Sequence, residues 1–170
     1  MIENLRYLER VAQNSRFMQA RPFLVGDVLD FGGNKGELGK WVKGNYIVVN
    51  YDHSAMKNAR VDTIACLAVL EHIHVHEVYE IFIQFKTLLK NGGRIVLTTP
   101  PKAAKSFIDF MAWVGLNDKA NIAEHKHYWS KGEIYDLAEK TGFAVARYRR
   151  FQIIFNQLAV LEHKPIPPGV

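Results

Sequence analysis

The sequence predicts an α/β fold: a mostly parallel sheet with helices on both faces, closed by an antiparallel hairpin at the C-terminus. Three observations carry that prediction. Short apolar runs rich in β-branched residues alternate with stretches of helical periodicity, the pattern of parallel strands joined by crossover helices. A glycine-rich turn, Gly32-Gly33-Asn34-Lys35-Gly36, follows directly on the first of these runs. The last two apolar runs, residues 143–155 and 157–163, are joined by a tight turn near Asn156 and so read as a hairpin.

Each element has its own justification. Ile2, Leu5, Leu8, Val11, Ala12 and Met18 recur at roughly helical spacing, giving an amphipathic helix over residues 2–20 that Pro22 and Gly26 interrupt. Val28-Leu29-Asp30-Phe31 is a short buried strand. After the glycine turn, a short helix is expected through Trp41, stopped by Gly44, and a second strand over residues 46–51. Residues 63–69 form an apolar third run. Val78, Ile81, Phe82, Phe85 and Leu88-Leu89 share a helical face within residues 76–90, which Asn91-Gly92-Gly93 is expected to end. A strand over 94–99 closes at Pro100-Pro101, and a further apolar helix is expected over 105–114. Ser130 and Glu133 have the spacing of a capping box, opening a helix that stops at Gly142.

The 170 residues suit one domain, with an opening helix at 1–20, a core at 22–163 and a loose proline-rich tail at 164–170. The single Cys66 excludes an internal disulfide framework and fits a reducing compartment. The N-terminus lacks the pattern of a secretory signal, and no apolar run approaches the roughly 20 residues that span a bilayer. A cytoplasmic protein with no membrane partner is expected. The net charge of +5 raises nucleic acid as a partner, but the charges are scattered. The one cluster, Arg147, Arg149 and Arg150, alternates as a solvated strand face would, so nucleic-acid binding is not expected.

The glycine turn carries the functional argument. Glycines between strand and helix permit positive φ and let a ligand approach the backbone closely. The helix behind the turn would aim its free N–H groups at that ligand. A second acidic residue, Asp52, ends the next strand about 20 residues further on, where a carboxylate can accept both ribose hydroxyls of an adenosine. A dinucleotide fits less well, since the turn lacks Gly-x-Gly-x-x-Gly. Asp30, two positions before Gly32, would repel a pyrophosphate yet suits the amino group of a methionine moiety.

These segments resemble the class I S-adenosylmethionine-dependent methyltransferases. Val28 to Gly36 is similar to the first motif of that family, and Asn50-Tyr51-Asp52-His53-Ser54-Ala55-Met56 to the second. Val61 to Ile73, with Leu70-Glu71-His72-Ile73, resembles the fourth-strand motif of the type 11 subgroup, and Leu89 to Pro100 the fifth-strand motif. The resemblance runs on through His127, the Ser130 helix and Thr141-Gly142-Phe143, and so covers residues 22–163. It implies a Rossmann-like fold and S-adenosylmethionine as cofactor. Asp30, Gly32, Gly33 and Gly36 would surround the methionine end, Asp52 the ribose, His53 and Met56 the adenine, and Leu67 would offer backbone near the sulfonium.

Two departures stand out. Asn34 replaces the family's middle glycine, although Asn tolerates the left-handed conformation that the turn needs. Only the nine residues 53–61 separate Asp52 from the next strand, where the family fits a helix, a third strand and a loop. Nine extended residues reach at most about 30 Å, and a crossover needs a dozen or more residues. The third strand and its preceding helix are therefore expected to be missing, along with the acidic residue that meets the adenine amino group. That leaves an open adenine pocket, weaker cofactor binding and an exposed sheet flank, which the opening helix or a second copy of the chain would cover.

Methyl transfer needs orientation and water exclusion more than a fixed nucleophile, with a general base useful for a hydroxyl or amine acceptor. His72 and His127 are the candidate bases, against a purely packed or hydrogen-bonded role for each. His72 and His76 share a helical spacing, but no Cys or Asp completes a ligand set, so no metal site is assigned. Phe107, Phe110, Met111, Trp113, Tyr128 and Trp129 would form an apolar lid over the acceptor or simply pack on the sheet. The expected activity is O- or N-methylation of a small molecule. The alternatives are a non-catalytic domain that serves as subunit or cofactor sensor, and an RNA or protein methyltransferase.

Overall fold

The computed structural model describes residues 2–50, 56, 58–105, 125–152 and 155–164, with side chains in the first helix from Arg10 onward. The regular elements among them are α1 (Ile2–Ala20), β1 (Val28–Phe31), β2 (Tyr46–Val49), β3 (Val61–Leu67), α2 (Val75–Leu88), β4 (Leu89–Thr99), α3 (Lys131–Lys140), β5 (Phe143–Phe151) and β6 (Asn156–His163). They build one six-stranded sheet in the order β2-β1-β3-β4-β6-β5. β2, β1, β3 and β4 run parallel, and β6 lies antiparallel to both β4 and β5. No described helix is long and apolar enough to cross a membrane.

Alternation along the strands divides the core between two faces. Leu29, Phe31, Ile64, Cys66, Ile95, Leu97, Ala159 and Leu161 pack with Val78, Phe82, Phe85 and Leu88 of α2 and with Ile134, Leu137 and Ala138 of α3. On the opposite face Val28 and Ala65 meet Phe17 of α1, while Val96, Leu158 and Val160 meet Ala20. Strands buried on both sides must be apolar at nearly every position, which is why β1 and β3 read as continuous apolar runs. The C-terminal half of α1 is pinned from below. Arg149 donates to the Gln19 carbonyl at 2.7 Å, and Gln152 to the Ala12 carbonyl at 2.9 Å.

The chain steps outward from β1 to β2, then crosses back to β3 on the other side of β1. Strand order thus reverses beside β1, and ligands of such sheets bind at the carboxyl ends there. β2 is an edge strand, and among the described residues no strand intervenes between it and β3. This agrees with the absence expected from the short 53–61 segment. The opening helix packs on a face of the sheet through Phe17 and Ala20.

Several boundaries differ from expectation. The turn after Gly36 is a 3-10 helix, Glu37–Trp41, and not an α-helix. Val42 is already extended, because few residues remain to return the chain to β2. β4 starts at Leu89, with Asn91-Gly92-Gly93 as an irregularity inside it: Val61 pairs with Leu89 and Thr63 with Arg94, and Gly92 takes φ 77°. β3 spans Val61–Leu67 instead of 63–69. The hairpin turn lies before Asn156, at Gln152 with φ 52°, so Asn156 opens β6. The helix expected over 105–114 and the tail at 165–170 lie outside the described residues, apart from Lys105.

Candidate active site

Asp30 is the polar residue that β1 buries at the point where strand order reverses; it is 3% exposed. In the parallel register Val28 lies opposite Tyr46 and Asp30 opposite Val48, which puts Tyr46 on the face of Asp30. The Tyr46 hydroxyl donates to Asp30 Oδ2 at 2.5 Å. Burial pushes the Asp30 carboxyl up to about 6; the Tyr46 hydrogen bond opposes this and the charge of Glu37 adds to it. The Tyr46 phenol is raised above its ordinary range by burial and by the carboxylate it serves, so it remains a neutral donor.

The glycine turn wraps this carboxyl group. The Gly32 N–H donates to the Val49 carbonyl at 2.7 Å, tying the turn to β2. A Cβ at Gly33 would stand 2.3 Å from Asp30 Oδ2, and one at Gly32 would stand 2.5 Å from Val69 Cγ2, so neither position admits a side chain. Asn34 adopts φ 50°, as expected of the residue that replaces the middle glycine. Asn50 holds it there, accepting from the Asn34 N–H at 2.8 Å and donating to the Asn34 carbonyl at 2.9 Å. Gly36, with φ 75°, closes the turn against Val48 and Tyr46.

Beside the turn is a cleft of about 50 Å³ lined by Asp30, Gly32, Gly33, Asn34 and Leu67 from the sheet side and by Gln13, Arg16 and Phe17 from α1. Three of the four residues expected around the methionine end of a cofactor, Asp30, Gly32 and Gly33, therefore line one cleft, together with the Leu67 expected near the sulfonium, while Gly36 is not among the lining residues. The volume holds a short polar chain and not a whole nucleoside. Met56 is buried in the main core with Phe31, Val49 and Ala59. Asp52 and His53 lie outside the described residues.

A second group of polar residues follows β3. Glu71 is 2% exposed and accepts a hydrogen bond from the Thr99 hydroxyl at 3.0 Å. Burial raises its carboxyl to about 7, against smaller opposing effects of its own backbone N–H, Thr99 and the Arg16 charge. His72 stands edge-on to His125, ring centres 4.7 Å apart. His127 is placed differently: its Nε2 lies 3.0 Å from Glu133 Oε1 and its ring stands against Trp129. Glu133 also completes the capping box expected at Ser130, with bonds of 3.2 and 2.7 Å. A buried chain of polar contacts fixes this region: Tyr148 donates to Gln157, Gln157 to the Trp129 carbonyl, and the Trp129 indole to the Leu70 carbonyl. Trp129 is thus a core residue, whereas Phe107, Phe110, Met111 and Trp113 lie outside the described residues.

Sequence reasoning missed Arg16, Gln13, Tyr46 and Asn50. Gln13, Arg16, Phe17 and Ala20 do follow i, i+3, i+4, i+7 and mark one helical face. Tyr46 shares the parity of Asp30 once β1 and β2 are paired. Neither signal says what the face would meet.

An acid-tipped first strand, a glycine turn and a sheet that reverses order beside them are the build of a class I methyltransferase domain. Residues 1–148 match the sequence model of the family described as "Methyltransferase domain", and the chain belongs to that family. No curated protein matches the sequence. Among solved structures, the pyocyanin biosynthetic protein PhzM is similar with a TM-score of 0.68 and 17% identity, covering 90% of this chain and 56% of that one. A SAM dependent methyltransferase from Archaeoglobus fulgidus gives 0.65 and 16%, covering 90% and 94%. Magnesium protoporphyrin IX methyltransferase (ChlM) from Synechocystis PCC 6803, with bound SAH, gives 0.61 and 15%, covering 95% and 86%. This chain thus spans little more than half the length of PhzM.

Proposed function

We propose that this chain is an S-adenosylmethionine-dependent methyltransferase acting on a small-molecule hydroxyl or amine. The observation that carries the reading is the buried Asp30 carboxyl at the mouth of a side-chain-free glycine turn, with a cation, Arg16, lining the same cleft. An amino acid moiety is complementary to that pair. Asp30 would accept from its ammonium group and Arg16 would face its carboxylate. Gly32 and Gly33 leave the space that a Cβ would fill, and Leu67 lines the same cleft. Asp52 would hold the ribose, and His53 and Met56 the adenine side, as the resemblance implies. The cofactor supplies a methyl group on positively charged sulfur. The protein's part is to orient the acceptor, exclude water and take up its proton.

His72 is the stronger candidate base, because it stands beside the buried Glu71 at the end of β3. His127 is committed to Glu133, which suits a positioning role at the N-terminus of α3. Membership of the type 11 subgroup is supported by Leu70-Glu71-His72-Ile73. A reducing, cytoplasmic setting is supported by the buried free thiol of Cys66.

Two features favour a second reading, a cofactor-binding domain without activity: the bare β2 edge and the narrow cleft. Calorimetric titration with S-adenosylmethionine separates the two. Saturable binding together with methyl transfer to a hydroxyl or amine acceptor supports the enzyme. Binding without transfer across an acceptor panel supports the sensor, and no binding at millimolar cofactor removes both.

A further inference from the structure

His72 and His76 alone make no ligand set, but the fold assembles a different one. Glu71, His72 and His125 each present a donor atom, and all three lie within 4.8 Å of one another. Two of them come from the turn after β3 and the third from a segment more than 50 residues later. The two segments are joined by main-chain bonds, since the Lys126 and His127 N–H groups both donate to the Glu71 carbonyl, at 2.7 and 3.3 Å. The cluster is therefore held by backbone. The Tyr128 hydroxyl, 3.0 Å from His125 Nδ1, helps fix that ring.

The chemistry of the buried acid points the same way. A carboxylate that is 2% exposed is costly to keep unless a cation compensates it. Among the described residues the Thr99 hydroxyl donates to one of its oxygens at 3.0 Å, and the donor atoms of His72 and His125 lie close by. We propose that Glu71, His72 and His125 bind one divalent first-row transition cation of the Zn²⁺, Co²⁺ or Mn²⁺ type. Two imidazoles and a carboxylate are a mixed nitrogen and oxygen set that suits these ions. Three protein ligands also leave coordination positions open, as in catalytic metal sites.

The site sits at the carboxyl end of β3, in the turn that follows Leu67 of the cleft. A hydroxyl bound to the ion would ionise near neutral pH, its proton passing to solvent, and would so become a better methyl acceptor. That consequence takes the place of His72 as base, because an imidazole whose lone pair ligates the ion cannot also take up a proton, and it rests on the proposed methyl transfer. The binding of the ion does not.

The test uses the whole chain without an affinity tag, stripped with a chelator and titrated with Co²⁺ or Zn²⁺ by calorimetry and Co²⁺ absorption. One equivalent should bind with a micromolar or tighter constant. His72→Ala and His125→Ala should each weaken it about 10-fold or more, with circular dichroism unchanged. Glu71→Gln, which keeps the shape, should weaken it similarly. His74 and His76 stack with ring centres 5.9 Å apart and are exposed, so they are the rival ligands. The His74→Ala/His76→Ala variant should bind as the parent does. Millimolar binding, equal binding in His72→Ala and His125→Ala, or loss of binding in His74→Ala/His76→Ala would overturn the site. Titration of the stripped protein with S-adenosylmethionine is read separately, so failure of the methyltransferase reading is not mistaken for failure of the metal site.

Discussion

Asp30 shows how one buried residue can govern both stability and ligand choice. Its folded pKa of about 6 lies above the ordinary 3.8, so the folded state holds its proton more tightly than the unfolded chain. Its stabilising contribution is complete below about pH 4 and is lost as pH rises through 6. Glu71, raised to about 7, behaves the same way over a slightly higher window. Chemical denaturation of the ligand-free protein should therefore show stability falling between about pH 4 and pH 7. Asp30→Asn should flatten the lower part of that slope and hold or raise stability at pH 7.5. The same substitution would remove the proposed partner of the ligand's ammonium group, so affinity for S-adenosylmethionine should fall about 10- to 100-fold. Tyr46→Phe strips the carboxylate of its donor and should move the pH midpoint of cofactor binding upward. Asp30 was legible in the sequence because an acid two residues before a glycine turn is conspicuous. Tyr46 was not, because a Tyr that opens a β-rich run looks like any strand residue until the register is known.

At the scale of elements, the glycine turn has lost the helix that usually follows it, and α1 takes over part of its work. The 3-10 turn Glu37–Trp41 is too short to aim a helix dipole at a ligand. The positive charge at the cleft comes instead from Arg16, a side chain of α1. Arg16→Met should keep the fold, since the residue is half-buried and α1 stays anchored through Phe17 and Ala20, but should weaken cofactor binding about 10-fold by calorimetry. A full loss of affinity would mean that α1 itself had shifted. The existence of α1 and α2 could be read from periodicity, and that of α3 from the spacing of its Ser130 cap. The address of α1 could not, because periodicity reports which face is apolar and not what lies opposite. The end of α2 was misread for a local reason. Asn-Gly-Gly stops a helix and allows a strand irregularity through the same positive φ, here at Gly92.

At the scale of the whole molecule, the sheet formed by the described residues is shortened on the β2 side. Counting residues between Asp52 and β3 was enough to foresee that, among the described residues, no strand stands beyond β2, because chain reach is a hard limit. What that edge meets depends on residues outside those described. The shortened side should make the protein indifferent to the adenine amino group. An analogue of the cofactor with oxygen in place of that amino group should bind within about threefold of the parent compound, where a hydrogen-bonded amino group would cost more.

The most direct measurement is calorimetric binding of S-adenosylmethionine at pH 5 and pH 7.5, to the parent protein and to Asp30→Asn. The ligand's amino group stays mostly protonated over that range, while a carboxyl of pKa about 6 goes from about one-tenth to almost fully ionised. The parent should bind roughly 10-fold more tightly at pH 7.5, and Asp30→Asn should bind weakly at both values with no pH dependence. Equal affinity of parent and variant, or a parent affinity that ignores pH, would contradict the assignment of Asp30 and of the cleft with it.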